Sequence, residues 1–92
     1  MADRTRAAIE HLRAWLAPNA EQARLRDAYV AHLQREPDGL SKRCQPDHLT
    51  AGVLVISDDG AEVQLNLHGK ARRWFHFGGH IEDTDATLPA AA

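Results

Sequence analysis

The sequence predicts an α+β fold: an N-terminal hairpin of two helices, then about three β-strands and the start of a further helix. Three observations lead there. Apolar residues recur at helical spacing through the first 35 positions, the period shortens to two after His48, and clusters of Pro, Gly, Asn and Asp fall where the period breaks. A chain of 92 residues holds one small core at most, and at that size only roughly 60% of the unfolded surface is buried. The breaks divide it into a helical hairpin, 1–39, and a strand-bearing part, 40–92.

The first helix is expected over residues 5–16, where Ala8, Ile9, Leu12, Trp15 and Leu16 share one face. Pro18-Asn19 ends it. Asn19 is a suitable N-cap for a second helix over 20–35, with Gln22 three residues on as a capping box requires. The apolar stripe of that helix is Leu25, Ala28, Tyr29 and Leu33, and Pro37-Asp38-Gly39 stops it. Residues 40–47 lose the period and read as a linker.

A strand follows over 48–57, with an apolar, β-branched centre at Val53-Leu54-Val55-Ile56. Asp58-Asp59-Gly60 is a turn, Asp59-Gly60 being the hairpin signal. Residues 62–68 alternate: Val63, Leu65 and Leu67 face one way, Glu62, Gln64, Asn66 and His68 the other. A loop over 69–73 leads to a short third strand, 74–77, which Gly78-Gly79 ends. Thr87 then caps a new helix with Pro89 in its first turn, where proline is tolerated, and Ala90, Ala91 and Ala92 as strong formers. The expected core is Leu12, Trp15, Leu16, Leu25, Tyr29 and Leu33 from the helices and Val53, Val55, Val63, Leu65 and Leu67 from the strands. The helices can cover one sheet face. The other face, and the segment after Asp85, are expected to be open, which favours self-association through the sheet.

Composition narrows the function classes. A net charge of −2 gives no electrostatic basis for binding nucleic acid or anionic membrane. No apolar run is long enough to span a bilayer, and no apolar h-region follows the charged N-terminus. Cys44 is the only cysteine, so no intrachain disulfide forms, which fits a reducing, cytoplasmic setting.

The chemistry-bearing segment is Trp74-Phe75-His76-Phe77-Gly78-Gly79-His80-Ile81-Glu82-Asp83-Thr84-Asp85. It resembles the opening of the Nudix box, with Gly79 as the first glycine, Gly78 before it, Glu82 three positions on and Asp85 six positions on. Upstream, His48-Leu49-Thr50-Ala51 before an apolar strand and Leu67-His68-x-Lys70 before Trp74 look like the first strands of Nudix hydrolases with a helical extension. Two positions depart from the pattern: Phe77 stands where proline is common, and Asp85 where Glu is usual. The Arg-Glu-x-x-Glu-Glu half of the box would begin just beyond Ala92.

The resemblance implies part of an α/β/α sandwich and a parent enzyme that hydrolyses a nucleoside diphosphate linked to another moiety. Such chemistry needs divalent cations, Mg2+ or Mn2+, to neutralise phosphate charge and acidify the attacking water. Magnesium binds through carboxylates and substrate phosphates, and the family also uses a backbone carbonyl at the glycine turn, here that of Gly79. The resemblance therefore leaves one backbone metal ligand and implies that this 92-residue stretch is inactive on its own. Glu82 and Asp85 read equally as acids that shape a helix start. Lys70, Arg72 and Arg73 form a small basic cluster, with Lys70 and Arg73 as candidate contacts to substrate phosphates. His68, His76 and His80 lack the tight spacing that announces zinc. The alternative reading is a degenerate, non-catalytic Nudix-like module that binds another protein.

Overall fold

The computed structural model describes residues 2–91. Helix α1 is Asp3–Ala14 and helix α2 is Ala20–Arg35. The first begins and ends two residues earlier than its pattern suggests. Trp15 is already extended, and its N–H reaches only Leu12 O. Pro18 disfavours helical backbone at the residue before it. Trp15 and Leu16 thus fall outside the helix, and both are exposed, Leu16 to 90%. The start of α2 is as read: the Asn19 side chain accepts the Gln22 N–H at 2.9 Å.

The face α2 turns inward is only partly the expected one, with Leu33 buried as read from the sequence. Val30 and Leu33 are buried, whereas Leu25 and Tyr29 are more than 40% exposed. This helix carries apolar residues on two adjoining stripes, and α1 covers only one of them. The α1 contribution is Thr5, Ala8 and Ile9, a buried i, i+3, i+4 set, with Leu12 partly buried beyond it.

Residues 40–47 do more than link. A series of tight turns (Gly39 N–H to Glu36 O, Ser41 N–H to Asp38 O, Cys44 N–H to Ser41 O) folds the segment back onto the helices, and Leu49 N–H closes it on Gly39 O at 2.8 Å. Leu40, Ser41 and Cys44 are buried as a result. The core is Ala8, Ile9, Val30, Leu33, Leu40 and Ile81, with Leu12, Leu49, Ala51, Leu88 and Ala91 packed around it. It draws on both sides of residue 39.

The three extended segments do not form one sheet. Each is broken once, giving β1 (Thr50–Val53), β2 (Val55–Ile56), β3 (Val63–Gln64), β4 (Asn66–His68), β5 (Arg73–Phe75) and β6 (Phe77–His80). The breaks fall at Leu54, Leu65 and His76. Each segment shares its pairing between the other two, so β1 pairs β6, β2 pairs β3 and β4 pairs β5, all antiparallel. The outcome is three two-stranded ribbons meeting at a junction. Asp59-Gly60 lies in the β2–β3 turn as expected, with Gly60 at φ 71° and the Asp59 carboxylate accepting from Ser57 Oγ and Ala61 N–H.

The ribbons are thinly covered. Val53, Val55, Val63, Leu65 and Leu67, expected in the core, are all exposed, as are Ile56 and Trp74. Two-stranded ribbons bury little without a layer against them, and the helices pack on the 39–49 loop and Ile81 instead. A helix does lie against β1: α3 (Leu88–Ala91) packs there, with Leu88 and Ala91 partly buried. The segment after Asp85, expected to be open, is closed in part: Thr87 begins α3 and Leu88 and Ala91 are half-buried, while Ala86, Thr87, Pro89 and Ala90 are exposed. Among the described residues the fold is α+β, and no helix is long and apolar enough to cross a membrane.

Candidate functional site

Gly78 and Gly79 do not end the third strand; they sit inside β6, opposite Gly52 and Ala51. The two glycines serve differently. A Cβ on Gly78 would lie 2.8 Å from Ala51 O and 2.8 Å from the Gly52 Cα, whereas one on Gly79 would meet nothing within 4 Å. Gly52 needs its own bareness, since a Cβ there would meet the His76 ring at 2.6 Å. The paired glycines let β1 and β6 close together under the His76 imidazole.

After β6 the buried Ile81 anchors the chain, and a turn reverses it. The Asp85 carboxylate accepts the Glu82 N–H at 2.9 Å, and the Asp85 N–H donates to Glu82 O at 3.0 Å. Glu82 O also accepts from the Arg4 guanidinium at 2.8 Å. Asp83 pairs with Arg43 at 3.0 Å and with Arg4 at 3.6 Å, which ties the turn to the 39–49 loop and to α1. The Arg43 hydrogen bond and charge hold the Asp83 carboxyl below the usual carboxylate range. Thr87 Oγ1 then accepts the Ala90 N–H at 3.2 Å and begins α3.

These placements decide how far a hard cation fits. Asp85 is engaged in shaping the turn and Asp83 is neutralised by two arginines. Glu82 is the one exposed acid of the turn beside Gly79 that remains uncommitted to a cation partner or a cap. Among the described residues no three His, Cys, Asp or Glu side chains are placed to hold one metal ion. Magnesium requires near-octahedral oxygen ligation, and the residues present do not make that set.

Lys70 lies in the turn between β4 and β5, and Arg73 opens β5 opposite His68. The turn is held by Arg72 N–H on His68 O at 2.7 Å and Ala71 N–H on His68 Nδ1 at 3.1 Å, with Arg72 in the left-handed region at φ 55°. Its Ala71 joins Gly78, Gly79, Asn66, His68 and His76 around a hollow of about 300 Å³. The structure thus brings Ala71 of the basic turn to the same hollow as the glycine pair, but Lys70 and Arg73 do not line it.

Two features escaped the sequence reading. A cleft of about 560 Å³ runs between α2, residues 47–50 and Leu88, with Tyr29, His32, Arg35, Asp47 and His48 presenting polar groups over a floor that includes Leu12 and Leu49. Beside it, His48 Nε2 lies 3.1 Å from His80 Nδ1. The cleft depends on how α2, residues 47–50 and Leu88 pack, and the histidine pair on the β1–β6 register, which brings together residues 32 positions apart, so neither leaves a local spacing to read. Comparison of the chain with protein-family models, curated proteins and solved structures gives no match.

Proposed function

We propose that this chain is the front part of a Nudix-type hydrolase: the complete enzyme hydrolyses a nucleoside diphosphate linked to another moiety, with Mg2+ or Mn2+, in the cytoplasm. The observation that carries this reading is the succession of β6 through Gly78-Gly79, a turn closed by Asp85 on Glu82, and a helix begun on Thr87. A strand that carries the glycine pair, an acid-shaped turn and a helix start stand in the order that the resemblance to the opening of a Nudix box implies. Glu82 and Asp85 then act by fixing the direction in which α3 leaves, and the carboxylates that bind metal come from the continuation of that helix. Lys70 and Arg73 contact substrate phosphates from the β4–β5 turn once the site is complete. The 92 residues alone bind no catalytic cation set and do not turn over.

The exposed Val55, Ile56, Val63 and Leu67 support a second reading, in which the ribbons dock on a partner protein and no chemistry follows. The coding sequence separates the two. Reading on from Ala92, the hydrolase reading expects Arg-Glu-x-x-Glu-Glu within a few codons. A stop codon there would overturn it and leave the interaction module.

A further inference from the structure

We propose that His48 and His80 form a two-nitrogen chelate for a divalent transition-metal ion such as Ni2+, Cu2+ or Zn2+. The β1–β6 pairing sets Thr50 opposite His80, and His48 stands two residues before Thr50. That register carries the two imidazoles together, with His48 Nε2 and His80 Nδ1 at 3.1 Å and ring centroids 5.1 Å apart.

The hydrogen bonding fixes which nitrogens are free. His48 Nδ1 lies 3.2 Å from Cys44 O. A carbonyl oxygen only accepts, so Nδ1 carries the hydrogen and Nε2 turns its lone pair toward His80. In the metal-free pair His80 Nδ1–H donates to that lone pair. Metal binding takes His80 in its other neutral tautomer, with the hydrogen on the outer nitrogen Nε2 and none on Nδ1, which leaves two lone pairs facing one space. With metal–nitrogen bonds of about 2.0–2.1 Å, nitrogens 3.1 Å apart subtend about 100° at the ion. That value lies between the square-planar and tetrahedral angles, the geometries that imidazole-loving cations adopt.

The surroundings also suit a ligand. A metal-binding histidine commonly donates its other ring N–H to a backbone carbonyl, which fixes the tautomer and the ring orientation, and His48 does this to Cys44. The Cys44 loop is itself pinned by the Ser41 and Leu49 hydrogen bonds, so His48 is held before any ion arrives. His80 is exposed, so water completes the coordination. No third His, Cys, Asp or Glu among the described residues reaches the pair, which makes the site open and of modest affinity. Magnesium, which prefers oxygen, is not its ion.

The test is an Ni2+ titration of the 92-residue chain followed by proton NMR of the six histidine rings. His48 and His80 should broaden first, ahead of His11, His32, His68 and His76. His48→Ala and His80→Ala should each weaken Ni2+ binding on the order of 100-fold, because the second nitrogen no longer acts intramolecularly. The double variant should be little worse than either single one, and His11→Ala, on the exposed side of α1, should bind as the parent does. Circular dichroism establishes that each variant keeps its helices. If one does not, the order of broadening in the parent chain decides alone. Equal broadening of all six rings, or folded His48 and His80 variants that bind as the parent does, would overturn the proposal.

Discussion

Replacing Gly78 and Gly79 one at a time by alanine separates strand packing from turn formation at the glycine pair. At Gly78 the new methyl would stand 2.8 Å from Ala51 O and 2.8 Å from the Gly52 Cα. Both are backbone atoms of β1, so relief requires the two strands to move apart along a register of four residue pairs. Overpacking of this kind costs about 1–3 kcal/mol, and total stability is only about 5–15 kcal/mol, with small domains at the low end. At Gly79 the methyl meets nothing within 4 Å, and loss of unfolded-state freedom favours alanine by about 0.4–1 kcal/mol where the backbone allows it. Gly79 has no positive φ, since Gly60 is the one glycine that does. Gly78→Ala should therefore lower the urea midpoint clearly and Gly79→Ala should leave it unchanged or raise it slightly. The amides of Ala51 to Val53 should lose hydrogen-exchange protection only in the first variant. Equal loss from both substitutions would refute the argument, because it would mean that the pair works as a turn.

Other perturbations test the core and the charged turn. Leu33, 1% exposed, should cost about 2–5 kcal/mol when cut to alanine, while Leu67→Ala, at a position 56% exposed, should stay within about 0.5 kcal/mol; urea denaturation followed by circular dichroism compares them. Asp83 has its folded pKa depressed chiefly by the Arg43 hydrogen bond, so its contribution to stability is present above the unfolded value and is lost as pH falls through the folded one. The pair is exposed and screened, so that contribution is small; Arg43→Ala should raise the Asp83 titration toward the ordinary carboxylate range by carboxyl-carbon NMR, and an unmoved titration would contradict the pairing. Burial, then the charges of Glu36, Asp38 and Asp47, push the Cys44 thiol up, so alkylation should be slow in the native chain and fast in urea. Equal rates in both would mean that the 39–49 loop does not cover it.

The parts of the fold governed by local rules were legible in the sequence. Asn19 caps α2, Asp59-Gly60 turns the β2–β3 hairpin and Thr87 starts α3, because each acts over two or three residues. The core was less so. Leu25 and Tyr29 share helical period with Leu33 as well as Val30 does, and only the placement of α1 decides that Leu33 is buried with Val30 rather than with them. Leu40 and Cys44 lie in a segment without period, yet turn hydrogen bonds fold it into the core. The first two strand segments were located to within about two residues, but the third was ended too early, at Gly78-Gly79, and alternation says nothing about how each divides its pairing, so the breaks at Leu54, Leu65 and His76 had no signal. At the candidate site the order of Gly78, Gly79, Glu82 and Asp85 was readable, while the Arg4 and Arg43 contacts to the turn span 78 and 40 positions and were not.

On the proposed hydrolase reading, these 92 residues supply the strand, turn and helix start of a metal-assisted diphosphate hydrolase and none of its catalytic carboxylates. Phosphorus NMR of a nucleotide sugar incubated with Mg2+ tests it most directly, with the 92-residue chain in one tube and, in another, the same chain carried on through the residues its gene encodes after Ala92. Silence is expected in the first tube and, in the second, a nucleoside monophosphate and a sugar phosphate that appear only when Mg2+ is present. Metal-dependent turnover by the 92-residue chain itself, or a folded longer protein that cleaves no nucleoside diphosphate derivative, would contradict it.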